Sequence, residues 1–126
     1  GYAIGKIHGS LDTLTRMEVL KNFRIGLIRV LIATDVLSRG IDIEQIGIVI
    51  NYDIPRERSQ YIHRIGRSGR FGKVGVAINF VTDRDYRNMN DIQRYMSNTY
   101  NVRIEDMPEF KTIIDFLSGI KGYIKL

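Results

Sequence analysis

No cysteine and only two histidines occur among the 126 residues of this chain. Without thiols there is no disulfide framework and no thiolate metal site, and two lone histidines do not make a zinc site, so no bound metal is expected. A cysteine-free chain is compatible with a reducing compartment, and a cytoplasmic or nuclear, intracellular location is the expectation. No apolar run approaches the roughly 20 residues of a membrane span. No charged-then-apolar leader precedes a cleavage-like site, so no membrane partner is expected. Linkers, internal repeats and low-complexity stretches are lacking as well. A phosphate-binding loop of the form G-x-x-x-x-G-K-[ST] is also absent: ending at Gly72-Lys73 it would need glycine at 67 and a hydroxyl at 74, where the chain has Arg67 and Val74. Nor does a glycine-rich turn follow the first apolar run, which argues against a metabolic α/β nucleotide-binding enzyme.

Arginine is what the chain has in quantity. It outnumbers lysine 13 to 6, in a chain of formal net charge +5. Solubility makes no demand for arginine over lysine, whereas bidentate contacts to phosphate oxygens do. Between Arg56 and Lys73 lie six basic residues and one acid, Glu57, so this window alone accounts for the net charge. The basicity belongs to one site. Within it, Arg64, Arg67 and Arg70 are spaced by three, and residues three apart share a helical face. Gly66, Gly69 and Gly72 leave that face unobstructed and permit a tight exit from a helix. Nucleic acid or nucleotide is the leading class of partner.

At this length, with 44% hydrophobic residues, one domain with its own core is expected. A short strand over Tyr2–Ile7 leads into the loop His8-Gly9-Ser10. A helix over Asp12–Phe23 follows, with Leu14, Met17, Leu20 and Phe23 at helical spacing, Asp12 or Ser10 as N-cap and Gly26 as the closing glycine. The run RVLIAT reads as a strand buried on both faces of a parallel sheet, and DVLSRGIDIEQ as a loop or broken turn. IGIVINYD is a second buried strand, stopped by Pro55. Arg56–Ile65 should be helical with Tyr61, Ile62 and Ile65 inward, VGVAINFV a third strand, Asp83–Met96 a helix and Val102–Ile104 a last short strand. Strands alternating with helices imply an open α/β sheet with right-handed crossovers. Thr34-Asp35, Asn51-Tyr52-Asp53 and Thr82-Asp83 would then gather at the carboxyl ends of the strands, where ligands bind in such sheets.

The segments ATDVLSRGIDI (33–43) and HRIGRSGRFG (63–72), with HGS, NFRIG, NYDIP and EDMP in order around them, resemble the C-terminal RecA-like lobe of a DEAD-box ATP-dependent RNA helicase. The translation-initiation and exon-junction ATPases of that family are the most similar subgroup. The resemblance runs from about His8 to Phe110. It implies an open, mostly parallel RecA-like sheet with helices on both faces, a lobe over residues 1–110 and an extension over 111–126. That extension is apolar enough to pack yet interrupted by two glycines.

By position, the resemblance implies that Arg67 and Arg70 are the arginine fingers that reach the γ-phosphate of ATP, where they would stabilise the transferring phosphoryl group. Asp42 matches the acid on the ribose hydroxyls, and Arg39 the residue that orients it. Gly9, Arg16, Thr34 and Gly40 match contacts to RNA phosphates, which carry no base specificity. His63 and Arg64 match residues that couple the nucleotide site to the other lobe. ATP and Mg2+ would be bound mainly by an N-terminal lobe carrying the phosphate loop and the DEAD acids, so this chain reads as a fragment that does not hydrolyse ATP alone. The lobe's usual opening strand and helix are also lacking, which would bare a sheet edge and raises the expectation of an edge-strand dimer. Ser10 and Thr13 depart from the family pattern and weaken the first RNA-side contacts.

Plainer readings stand beside these. Arg67 and Arg70 could be a solvated basic helix end, Asp42 a partner of Arg39, Thr34 a simple strand end, and Arg16 a surface helix charge. His63 could be a buried structural histidine. Tyr52, Tyr61, Phe71 and Phe80 read as packing rather than as base-stacking platforms. Arg84, Arg87 and Arg94 read as a solvated face balanced by Asp83, Asp85 and Asp91. The competing functional class is a stand-alone, non-catalytic RNA-binding or scaffold domain.

Overall fold

A computed structural model describes residues 1–35, 46–68 and 75–106 of the chain. It divides into two compact units, Gly1–Gln45 and Ile46–Leu126. The first unit holds β1 (Ile4–Ile7), α1 (Thr13–Arg24) and β2 (Val30–Ala33). The second holds β3 (Ile48–Asn51), α2 (Arg58–Ile65), β4 (Val76–Asn79) and α3 (Tyr86–Tyr100). Both strand pairs are parallel: Ile4–Ile7 register with Val30–Ala33, and Ile48–Asn51 with Val76–Asn79. A parallel partner requires the chain to return to its starting end before the next strand begins. Helix α1 makes that return in the first unit, and α2 lies on the return path of the second. The expected α/β class with parallel pairing is therefore what the chain adopts.

Helix α1 starts where Asp12 accepts a hydrogen bond from the Thr15 N–H at 2.6 Å, the side-chain cap that aspartate supplies at this position. It ends at Ile25, after which Gly26 takes a left-handed φ of 81°, a conformation that costs glycine little. The face turned to the sheet differs from the expected one. Leu20 is buried and Val19 and Phe23 half-buried, whereas Leu14 is 79% exposed and Met17 is also in solvent. The inward stripe runs 16, 19, 20, 23, which places Arg16 on it in half-buried surroundings. Spacing alone did not separate this stripe from its neighbour, because both carry apolar residues at helical intervals.

The expectation that RVLIAT is buried on both faces is corrected. Ile4, Val30 and Ile32 are exposed, while Gly5 and Ile7 are buried and Leu31 half-buried. Successive strand residues point to opposite sides. The side bearing Gly5 approaches Val19 of α1. Among the described residues of this unit, α1 is the one helix, and it covers that side alone.

In the second unit the core is built by Ile54, Tyr61, Met89, Ile92 and Met96, with Ile62, Ile65, Tyr95 and Ile104 packed around it. Tyr61, Ile62 and Ile65 thus turn inward as expected. Met89, Ile92 and Met96 recur at three and four residues and give α3 its buried stripe. This helix starts later and ends later than its composition implied. Residues 83–85 form the turn before it, in which the Asp85 carboxylate accepts from the Thr82 N–H and hydroxyl at 3.0 and 2.6 Å. It ends at Asn101, which adopts a left-handed φ of 54° while Val102 donates back to the Met96 carbonyl at 3.2 Å. Residues 102–104 form no strand; Ile104 caps the core from an irregular segment. Strand β3 stops at Asn51, four residues before Pro55, and is half-buried rather than fully enclosed. The extension from 111 onward lies outside the described residues.

Asp91 is not spent on its own helix. It receives a two-pronged contact from Arg58 of α2, Nε to Oδ2 at 2.9 Å and Nη2 to Oδ1 at 2.8 Å. The Arg58 guanidinium also lies 5.0 Å from the centre of the Tyr95 ring. The pair therefore ties α2 to α3.

Two outcomes test this packing. Ile92 is 1% exposed, so Ile92→Ala should lower unfolding stability by about 3 kcal/mol in urea titrations. Leu14→Ala should change it by less than about 0.5 kcal/mol. Asp91 is held below the ordinary aspartate range by the Arg58 hydrogen bonds, Asp12 by the Thr15 amide and Asp85 by Thr82. The stability these groups contribute is present above the ordinary carboxyl value of about 3.9 and is lost as pH falls through their lowered native values. The urea midpoint should hold steady from pH 7 to about 5 and drop below about 4, with a shallower drop in Asp91→Asn.

Candidate functional site

In the first unit the parallel register places the ends of β1 and β2 side by side. The Thr34 N–H donates to the Ile7 carbonyl at 3.2 Å, so Thr34 is fastened next to the point where the His8-Gly9-Ser10 turn begins. Arg16 reaches the same turn from α1. Its Nε donates to the Leu11 carbonyl at 2.9 Å and its Nη2 to the Gly9 carbonyl at 3.3 Å. Two of the five guanidinium donors thus brace the loop. Gly9, Arg16 and Thr34, chosen from the sequence as one group, lie at one end of one unit. Arg16 is not a simple surface charge: its position on the inward stripe of α1 aims it along the helix toward this loop.

In the second unit the register Asn51↔Asn79 puts two carboxamides side by side at the carboxyl ends of β3 and β4. Asn51 Nδ2 donates to Asn79 Oδ1 at 2.9 Å, and Asn79 Nδ2 donates to the Tyr61 hydroxyl at 3.0 Å. Arg64 Nη1 donates to Asn51 Oδ1 at 3.4 Å, to the Asp53 carbonyl at 2.8 Å and to Asp53 Oδ1 at 3.0 Å. Burial raises the Tyr61 hydroxyl above its ordinary pKa, against a smaller opposing effect of the Asn79 hydrogen bond, so the phenol keeps its proton. Asn51 and Asp53 were expected at a ligand-binding strand end but given no role, and Asn79 was not singled out. The available signal was the repeated ending of two apolar strands in asparagine, IVIN and VAIN, where a buried polar side chain needs a partner.

Helix α2 ends at Ile65, and Gly66 is its C-cap. The helical-face premise for Arg67 is therefore corrected: Arg67 follows the helix in a turn. Gly66 is required there by close approach, because a Cβ at this position would lie 2.8 Å from the Ile62 carbonyl oxygen. The turn is pinned on its far side. Ser68 donates through its amide and hydroxyl to the Ile65 carbonyl at 2.9 and 2.8 Å and forms an isolated parallel bridge with Ile46. Arg67, half-buried, is held between these two fixed points.

His63 is exposed, which sets aside its reading as a buried structural histidine. Tyr52 and Phe80 meet edge to face with centroids 6.3 Å apart, and Tyr52 is 85% exposed. Arg39, Gly40, Asp42 and Arg70 lie outside the described residues, as do Phe71 and Lys73.

The class these features define is a parallel α/β domain whose strand ends carry a braced glycine loop in one unit and arginines in the other. Comparison with known proteins names that class. The helicase conserved C-terminal domain matches residues 1–72. Eukaryotic initiation factor 4A of Caenorhabditis elegans is 52% identical over 108 residues, which are 86% of this chain and 26% of that protein. The ATP-dependent RNA helicase eIF4A of Phaeosphaeria nodorum is 52% identical over 107 residues, 85% of this chain and 26% of that protein. The chain thus spans about a quarter of the length of these relatives. Among solved structures, the C-terminal domain of the DEAD-box protein Dbp5 superposes with a TM-score of 0.79 at 37% identity, covering 95% of this chain and 70% of that one. Dbp5 of S. cerevisiae bound to RNA and ADP BeF3 gives 0.83 at 36% identity, covering 95% and 32%. The chain belongs to the helicase C-terminal domain family, as the RecA-like C-terminal lobe of a DEAD-box protein of the eIF4A-like kind.

The brace on the glycine loop can be tested directly. Arg16→Ala should speed hydrogen exchange at the Leu11 amide, which bonds to the His8 carbonyl at 3.2 Å, by about tenfold or more. Exchange in β3 and β4 should stay unchanged. An unaltered Leu11 amide would show that Arg16 does not hold this turn.

Proposed function

We propose that this chain is the half of an ATP-dependent RNA helicase that completes, but does not by itself form, the ATP site and the RNA-binding surface. The observation that carries the reading is Arg67, set in a turn pinned between the C-cap of α2 and the Ser68–Ile46 bridge, within a window holding the whole net charge of the chain. In this reading an N-terminal lobe of the same protein holds the nucleotide. Arg67 and Arg70 enter the interlobe cleft and stabilise the negative charge that spreads over the transferring phosphoryl oxygens. Asp42, positioned by Arg39, accepts hydrogen bonds from the ribose hydroxyls. His63 and Arg64 pass the state of the nucleotide to the other lobe. The arginines of this window suit phosphate oxygens and repel a cation, so Mg2+ is assigned to the N-terminal lobe and none of these roles runs through it.

Gly9, Arg16, Thr34 and Gly40 would contact successive RNA phosphates. The glycines let backbone approach closely, and Arg16 keeps donors beyond the two that brace its loop. Such contacts recognise RNA without reading its sequence. The Dbp5 structure holding RNA and ADP BeF3 supports this assignment through its likeness to the chain. Lobe closure on both ligands would bend RNA locally, and hydrolysis with product release would reopen the lobes. Pairing of two copies through an edge of β1 is also proposed, resting on β1 being paired with β2 alone among the described residues.

In the complete protein, Arg67→Ala should lower RNA-stimulated ATP turnover by about 10³-fold while RNA affinity stays within about threefold. Wild-type turnover in that variant would remove the finger role. The 126-residue chain by itself should bind single-stranded RNA weakly. Tight binding with a steep dependence on salt would instead establish a stand-alone RNA-binding domain.

A further inference from the structure

Arg64 is 19% exposed, yet the carboxylate beside it, Asp53, is 82% exposed. An ion pair with one partner in water is a weak restraint on a long side chain. What meets Arg64 from the inside is the carboxamide of Asn51, 2% exposed. We infer that Tyr61, Asn79 and Asn51 form a directional chain of hydrogen bonds that positions Arg64 and, through the end of α2, Arg67; this rests on the ATPase reading above.

The direction of the chain follows from chemistry. A guanidinium only donates, so Asn51 must turn its Oδ1 toward Arg64. Its Nδ2 then faces Asn79, which must answer with Oδ1 and turn its own Nδ2 to the Tyr61 hydroxyl. Rotating either carboxamide would set donor against donor in a buried place. One arrangement satisfies every member.

The connectivity gives the chain a mechanical consequence. Tyr61 and Arg64 both sit on α2, three residues apart on one face. Asn51 and Asn79 are the last residues of β3 and β4. The chain thus leaves α2 at Tyr61, crosses both strand ends and returns to α2 at Arg64, tying the middle and the last turn of the helix to the sheet rim. Gly66, Arg67 and Ser68 follow at once. An apolar residue would fill the place of Asn51 at the end of an apolar strand without a desolvation cost, but it would remove the buried contact to Arg64 and leave the contacts to Asp53, whose carboxylate is in water. The three residues are positioning residues: no role assigned to them touches ATP or RNA.

The substitution that separates direction from packing is Asn79→Leu against Asn79→Asp. Leucine keeps the volume and ends the chain. Aspartate accepts from Asn51 Nδ2 and also from the Tyr61 hydroxyl, which has a proton to give, so every member is again satisfied. In the complete protein, Asn79→Leu should lower kcat for ATP hydrolysis by about tenfold to a hundredfold with KM for ATP within about twofold. Asn79→Asp should stay within about threefold of wild type in kcat. In nitrogen-15 spectra of the 126-residue chain, the Arg64 side-chain N–H signals should be resolved in wild type and Asn79→Asp and averaged away in Asn79→Leu, with backbone spectra showing all three folded. Retained Arg64 signals in Asn79→Leu, or leucine tolerated as well as aspartate, would overturn the inference. Loss of the signals with unchanged kcat, while Arg67→Ala is inactive, would also overturn it. If Arg67→Ala itself turns over normally, the ATPase reading falls, and the spectra still decide whether the chain positions Arg64.

Discussion

Parallel pairing is the constraint on which this molecule depends. A strand that pairs in parallel with one earlier in the chain must begin at the same end, so both strands finish together and both following loops leave from one edge. In the first unit that brings Thr34 beside the Gly9 turn. In the second it brings Asn51 beside Asn79. Residues 25 and 28 positions apart in sequence become neighbours for the same geometric reason. Each unit thereby acquires an edge where polar groups emerge from apolar strands, the usual location of ligand sites in this class of fold.

Arginine makes internal ties in both units. Arg16 and Arg64 are turned back onto the protein, one bracing a glycine loop and the other joined to Asn51 and Asp53. Arg58 joins two helices through Asp91. Arg67 lies between the C-cap of α2 and the Ser68–Ile46 bridge. A planar group with five donors suits each of these internal contacts, since several acceptors can be met by one side chain.

The departures from sequence expectation share a cause. Leu14 and Met17 have the periodicity of a buried face, but the stripe containing Arg16, Val19, Leu20 and Phe23 is the one turned to the sheet. The strand β2 has the composition of a doubly covered strand, yet the side bearing Val30 and Ile32 is exposed. Residues 102–104 have strand-forming side chains, but α3 runs on to Tyr100 and its left-handed end at Asn101 redirects the chain to cap the core. In each case local pattern was satisfied by more than one arrangement, and long-range packing chose.

The amino-acid sequence alone determined the class of fold, the capping of α1 by Asp12 and the inward face of α2, because these rest on spacing, local hydrogen bonding and ordered motifs. Tertiary structure alone decided that Arg16 braces the Gly9 turn, that Arg67 leaves the helix at Gly66, and that Tyr61, Asn79, Asn51 and Arg64 form one chain of donors and acceptors. Those contacts join residues on separate elements. Nothing in one-dimensional order states which side chains a parallel register will set opposite one another until the strands have paired.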